Sequence, residues 1–215
     1  MACHPGSTDT AKSKLTTVWT ERTSGVEMPA GTRLKLQDEG KLDTYVEASF
    51  PQAVSMLGVE ATWVRRYLDA EYEKETYALL GRHPRSVILR GAGVQTVQGW
   101  HCDATQGIKF DVMPDGAIKA VEECVLADGN RAAGLEIAPG AVLRGSDGTV
   151  YVDGSRDPDR WRVEVKGETA VQVFGLYLSR PSIYLDASRE VLRVTDAGLA
   201  CRTPFGGVTY AAGTH

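Results

Sequence analysis

The chain has 215 residues, 42% of them hydrophobic and 24% charged, with a formal net charge of -4. That is enough apolar material for one large domain or two small ones, and the mild acidity gives no general attraction to nucleic acid or anionic membrane. No stretch has the length of an apolar membrane span, and the polar N-terminus (residues 1–14) lacks the apolar core of a secretory signal. These features predict an intracellular protein, cytoplasmic and not secreted by a signal peptide, with no membrane partner.

The four cysteines, Cys3, Cys102, Cys124 and Cys201, contain no Cys-x-x-Cys pair, so neither a zinc knuckle nor a dense disulfide framework is expected. Reduced, partly buried thiols are the expectation, with a Cys102–Cys124 bridge between neighbouring strands as the alternative.

After the polar arm, residues 15–47 read as a β segment, because "KLTTVWTE" and "TRLKLQ" alternate with a period near two. Residues 48–82 read as a helical hairpin. Ser49 and Gln52 form a capping box, Pro51 suits a first helical turn, and Gly58 stops a short helix. A longer helix follows, in which Val64, Tyr67, Leu68, Tyr72 and Leu79 recur near helical spacing until Gly81 and Pro84. Residues 83–215 read as many short strands, among them "RSVILRG", "GIKFDVM", "WRVEVKG" and "TVYVDG". Asp-Gly pairs at 115–116, 128–129, 147–148 and 153–154 predict hairpin turns. The predicted fold is mainly β (α+β): a barrel or sandwich of short antiparallel strands with one inserted αα-hairpin. Trp19, Trp100 and Trp161 are expected as core anchors.

One phrase occurs twice. "GVEMPAGTRLKLQDEG" begins at Gly25 and "GLEIAPGAVLRGSDG" at Gly134. Gly25 aligns with Gly134, Met28 with Ile137, Gly31 with Gly140, Leu34 with Leu143, Lys35 with Arg144 and Asp38 with Asp147, and Tyr45-Val46 answers Tyr151-Val152. Pro29, Gly31, Pro139 and Gly140 are the expected scaffold corners, since proline removes a ladder donor and glycine relaxes φ where a strand turns at a sheet rim. The phrase resembles the Pro-Ala-Gly-Thr, Asp-Gly, Tyr-Val modules of bacteriophage structural proteins, such as capsid decoration and baseplate proteins. That resemblance implies a non-catalytic β scaffold that packs against copies of itself or against other virion proteins, needing no cofactor.

The alternative function is transcriptional regulation. Residues 50–69 resemble a helix-turn-helix DNA-binding motif, which implies that Thr62, Arg65 and Arg66 on the second helix face the major groove. The acidic continuation, Asp69, Glu71, Glu73 and Glu75, opposes binding to a polyanion.

A third possibility is a small-molecule barrel or an enzyme. His101 and Asp103 resemble the first two ligands of the iron and 2-oxoglutarate oxygenases, but the later histidine needed to complete the set could only be His215. Glu164-x-Lys166 with Asp153 upstream resembles the Mg²⁺ site of restriction-type nucleases. It equally suits a strand whose outer face alternates Arg162, Glu164 and Lys166. "LEIAPGAVL" resembles the opening strand of a cupin barrel, yet no histidine pair follows. No phosphate loop or nucleophile elbow is present.

Overall fold

The computed structural model of the chain describes residues 14–17, 21–23, 26–146, 148, 150–167 and 170–215. It is built from bent hairpins. The first comprises β1 (Lys14–Thr16), β2 (Glu21–Thr23), β3 (Val26–Met28) and β4 (Arg33–Leu36). After one 3-10 turn at Leu42–Thr44, β5 (Tyr45–Met56) and β6 (Val59–Tyr72) form the second. Then come β7 (Leu79–Gly91), β8 (Val94–Val97), β9 (Trp100–Asp103) and β10 (Ile108–Val112), followed by β11 (Ile118–Val125), β12 (Asn130–Ala132), β13 (Leu135–Ile137) and β14 (Val142–Gly145). The fifth hairpin is β15 (Trp161–Glu164), β16 (Val171–Val173), β17 (Leu176–Ser179) and β18 (Ser182–Leu185). The edge strand β19 (Val191–Thr195), the short β20 (Gly198–Leu199) and a last hairpin, β21 (Thr203–Phe205) with β22 (Val208–Tyr210), complete the chain.

The stems join into one eleven-stranded sheet in the order β1-β4-β5-β6-β7-β10-β11-β14-β15-β18-β19, with every neighbouring pair antiparallel. The tips β2-β3, β8-β9, β12-β13 and β16-β17-β20 form small sheets of their own. They pack as a second layer over one continuous core. The result is sandwich-like, and among the described residues the main sheet stays open rather than closing into a barrel, because β1 and β19 lie at its two ends.

Cross-strand register explains the two faces. On the inner face Leu34, Ala48, Val64, Leu89, Ile108, Cys124, Leu143, Val163 and Ile183 lie opposite one another from strand to strand, and all are buried. One residue along each strand, the outer face carries Lys14, Lys35, Glu47, Arg65, Ile88, Lys109, Glu123, Arg144, Arg162, Tyr184 and Arg193 in a single row. Side chains alternate between faces, so a one-residue step separates an apolar row from a charged one. Eleven strands about 4.8 Å apart make that row about 48 Å long.

The predicted αα-hairpin at 48–82 is absent; those residues form β5, β6 and the start of β7. Leu57 and Gly58, expected as a helix stop, are a two-residue hairpin turn joining Met56 to Val59, with φ of 52° and 77°. Two positive φ values match the right-handed twist of the strands they connect. The same device closes other tips: Gln98-Gly99, Ala133-Gly134 and Phe174-Gly175. "TVYVDG" is likewise not a strand: Val150 makes an isolated bridge to Arg156, and Tyr151 and Gly154 close a turn.

The repeated phrase marks equivalent bends in the first and fourth hairpins. Gly31 donates its N–H to Thr17 O at 2.7 Å while Thr17 donates back to Thr32. Gly140 donates to Leu126 O at 2.8 Å while Leu126 donates back to Ala141. Both glycines have φ of 87°, a conformation that costs other residues free energy. Pro29 and Pro139 sit beside them at the same bends. Leu34 and Leu143 share the inner row, and Lys35 and Arg144 the outer one. The equivalence ends there, because Tyr45 is buried and Tyr151 is exposed. Asp147 and Trp19 lie outside the described residues.

Cys102 and Cys124 are both buried and are joined by a disulfide, which corrects the expectation of reduced thiols for this pair. It ties the tip strand β9 to the stem strand β11. Trp100 and Trp161 are buried edge to face, with ring centroids 5.8 Å apart.

Candidate functional site

Two surfaces stand out, both set by β6. Its alternation places Val64 and Arg66 inward and Arg65 and Tyr67 outward. Thr62 is exposed at a bulge, where the register with β7 slips between Ala61 and Trp63. The three residues assigned to a recognition helix therefore do not share a face, and no helix presents them. Arg66 is buried, with its guanidinium carbon 4.1 Å from the centroid of the Tyr45 ring and its Nη1 donating to Asp43 O at 3.3 Å. Burial pushes the Tyr45 phenol above its ordinary range, against the opposing pull of Arg66.

This stacked pair forms part of the wall of a cavity of about 430 Å³ between the tip of the β5-β6 hairpin and the far end of the main sheet. Arg82 also lines it, held bidentately by Asp38 at 3.1 and 3.3 Å. The other lining groups are mainly apolar or acidic, including Met56, Pro84, Asp43 and Asp115. The lining contains neither histidine nor cysteine, so it offers no imidazole or thiol for acid–base or nucleophilic work.

The second surface is the outer face of the main sheet, where ion pairs link the row. Glu47 accepts from Arg65 at 3.2 Å and from Trp63 Nε1 at 3.3 Å. Lys109 pairs with Glu122 at 2.5 Å. Glu164 is a hub, meeting Arg144 at 3.1 Å, Arg162 at 3.0 Å and Lys166 at 3.1 Å. Partial burial opposes its ionisation, but these three cations outweigh that and hold its carboxyl below the usual range. At the β19 edge Arg193 pairs with Asp157, which also accepts from the Tyr151 hydroxyl at 2.8 Å, and Arg193 stacks over Tyr184 at 4.1 Å. Cations outnumber acids in this row although the chain as a whole is acidic.

The metal-like motifs find other employment. His101 is exposed beside the Asp128 carbonyl, and its backbone is bonded to the buried Asn130 side chain. Asp103 closes a turn by accepting from both the backbone and the hydroxyl of Thr105. His215 lies instead against Gly198. Asp153 accepts from Ser155 within its own turn, while Glu164 and Lys166 bond each other. Among the described residues no three histidine, cysteine or acidic side chains are grouped to hold a metal ion.

Sequence reasoning missed the cavity and the continuous outer row. The signal for the row was present in each strand as an isolated outward Lys or Arg, but strand register was needed to align them. The chain matches no protein-family model, no curated protein and no solved structure.

Proposed function

We propose that the protein is a non-catalytic structural component that assembles with copies of itself, as the resemblance to phage virion modules implies. The observation that carries this reading is the open sheet. Ten antiparallel pairings separate β1 from β19, so the two edge strands run in the same direction. Both edges present continuations of the same two rows, Leu15 and Lys14 on β1, Val194 and Arg193 on β19. An unpaired edge is a template for another strand, and two like-directed edges let copies add head to tail. The Cys102–Cys124 crosslink suits a particle component that works outside a reducing cytosol.

Size-exclusion chromatography with light scattering tests the reading. The unaltered protein is expected to elute as a defined oligomer or a larger assembly. Leu15→Lys and Leu192→Lys, at exposed edge positions, are expected to shift it toward the monomer while thermal melts stay cooperative. A monomer at the highest soluble concentration overturns the reading.

A further inference from the structure

The β6-β7 hairpin extends past the sheet that contains it. β5 pairs with β6 only as far as Glu47 opposite Arg65, and β10 pairs with β7 only as far as Asp111 opposite Ser86. Among the described residues, 68–72 and 79–84 therefore pair with each other but with no third strand of the main sheet. Residues 68–70 and 81–84 are half-buried, and Arg82 and Pro84 line the cavity described above, so the free part of the arm is its exposed tip, residues 71–80. A two-stranded ribbon is only marginally stable in water on its own. Its base is held in place by the Arg82–Asp38 ion pair, so the arm has a set direction.

Its composition is unlike that of a solvated loop. Tyr72, Tyr77 and Leu80 are 54%, 79% and 62% exposed, and Leu79 is exposed beside them. Glu71, Glu73 and Glu75 surround these residues, with Lys74 as the one cation of the 71–80 tip. An exposed apolar cluster rimmed by charge is a contact surface.

We propose that this arm seats on the outer sheet face of a second copy of the chain; the inference rests on the self-association reading above. Charge selects that occupant. Two arms packed against each other would set glutamates against glutamates, and an anionic membrane would repel them. The outer face offers Lys35, Arg65, Lys109, Arg144 and Arg162 in one row, partly neutralised by Glu47, Glu122, Glu123 and Glu164 of the same face, so an incoming acidic arm would share or replace those pairings. That face already stacks arginine on aromatic rings, Arg65 over Trp63 at 5.3 Å and Arg193 over Tyr184 at 4.1 Å, and the tyrosines of an incoming arm would meet arginines in the same way. Arm and face are different patches of one molecule, so the contact is head to tail and builds a ring or a filament rather than a two-fold dimer.

Charge-swap complementation tests it by sedimentation velocity. One variant carries Glu71→Lys, Glu73→Lys and Glu75→Lys; a second carries Lys35→Glu and Lys109→Glu; circular dichroism confirms that both are folded. Each alone is expected to sediment as smaller species than the unaltered protein, and the equimolar mixture to recover assembly. The unaltered protein is expected to lose assembly as salt rises. Tyr77→Ala with Leu80→Ala, which leaves the charges in place, is expected to weaken association about tenfold or more. If the arm-reversed variant assembles as the parent does, or the mixture fails to recover, the arm-to-face contact is wrong while self-association stands. If the unaltered protein is a monomer throughout, the self-association reading falls and this inference with it. A monomer that pellets with phosphatidylcholine vesicles also overturns it and makes the arm a membrane-contacting device.

Discussion

Arg66 sits over Tyr45, its guanidinium carbon 4.1 Å from the ring centroid, with both side chains buried at the end of the core. Removing the arginine would forfeit the stacking, leave a void beside the ring and take a donor from Asp43 O. Arg66→Ala is expected to lower stability by about 2–3 kcal/mol, and Arg66→Met, which keeps the stem, by less. Urea denaturation followed by tryptophan fluorescence measures both; a loss under about 0.5 kcal/mol for the alanine variant would show that the pair contributes little to the fold.

How much of this was legible beforehand depended on whether the alternation of a strand was interrupted. From Arg85 onward the strands are short and bounded by turns, so most of them read as strands despite bulges between β10 and β11 and between β18 and β19. In 48–82 the alternation is broken. Buried positions on β6 fall at Val59, Ala61, Val64 and Arg66, and the three-residue step across the bulge at Thr62 imitates helical spacing. A second irregularity between Ser49 and Val54 disguised β5, where Pro51 looked like the first turn of a helix. The buried Arg66 broke the pattern again, since an inward arginine reads as a surface residue.

The hairpin turns were hidden for a related reason. Leu, Gln, Ala and Phe occupy the first turn position before glycine at 57, 98, 133 and 174, where Asn or Asp is preferred for positive φ. The Asp-Gly pairs drew attention instead, but Asp115 and Asp153 shape wider turns by accepting from the backbone of Ala117 and Ser155. The match of Gly31 and Gly140 within the repeated phrase did find two equivalent bends, because there the bend requirement overlaps with a glycine–proline signature, while Gly25 lies outside the described residues.

The turn at Phe174-Gly175 leads to a stabilising substitution. Phe174 has φ of 52° and is 70% exposed, so it bears backbone strain and buries little. Phe174→Asn is expected to raise stability by about 0.5–1 kcal/mol, and Gly175→Ala to lower it by about 1 kcal/mol or more. Thermal unfolding of the two variants beside the parent checks the opposite signs; an asparagine variant that melts lower than the parent would contradict the assignment of the turn.

Asp157 supplies a pH dependence. Its hydrogen bonds from Arg193 and then Tyr151 hold its carboxyl below the ordinary aspartate range. A depressed folded-state value means that the pair stabilises above the unfolded pKa, near 3.9, and that this contribution fades as pH falls through the lower folded value. Asp157→Asn should melt below the parent at neutral pH, with the gap closing in acid. Melting curves at neutral pH and below pH ~3 test this; a gap that persists or widens in acid would assign the effect to packing instead.

The bent hairpins have a consequence for size. Each contributes two stems to the sheet, so one more or one fewer keeps the antiparallel order, although the third and fourth are also tied together by the Cys102–Cys124 disulfide. Every such unit changes the distance between the two outermost strands by about 10 Å. The molecule is thus graduated like a ruler, and duplication of a single segment of the gene would reset the repeat distance of anything built by joining those ends.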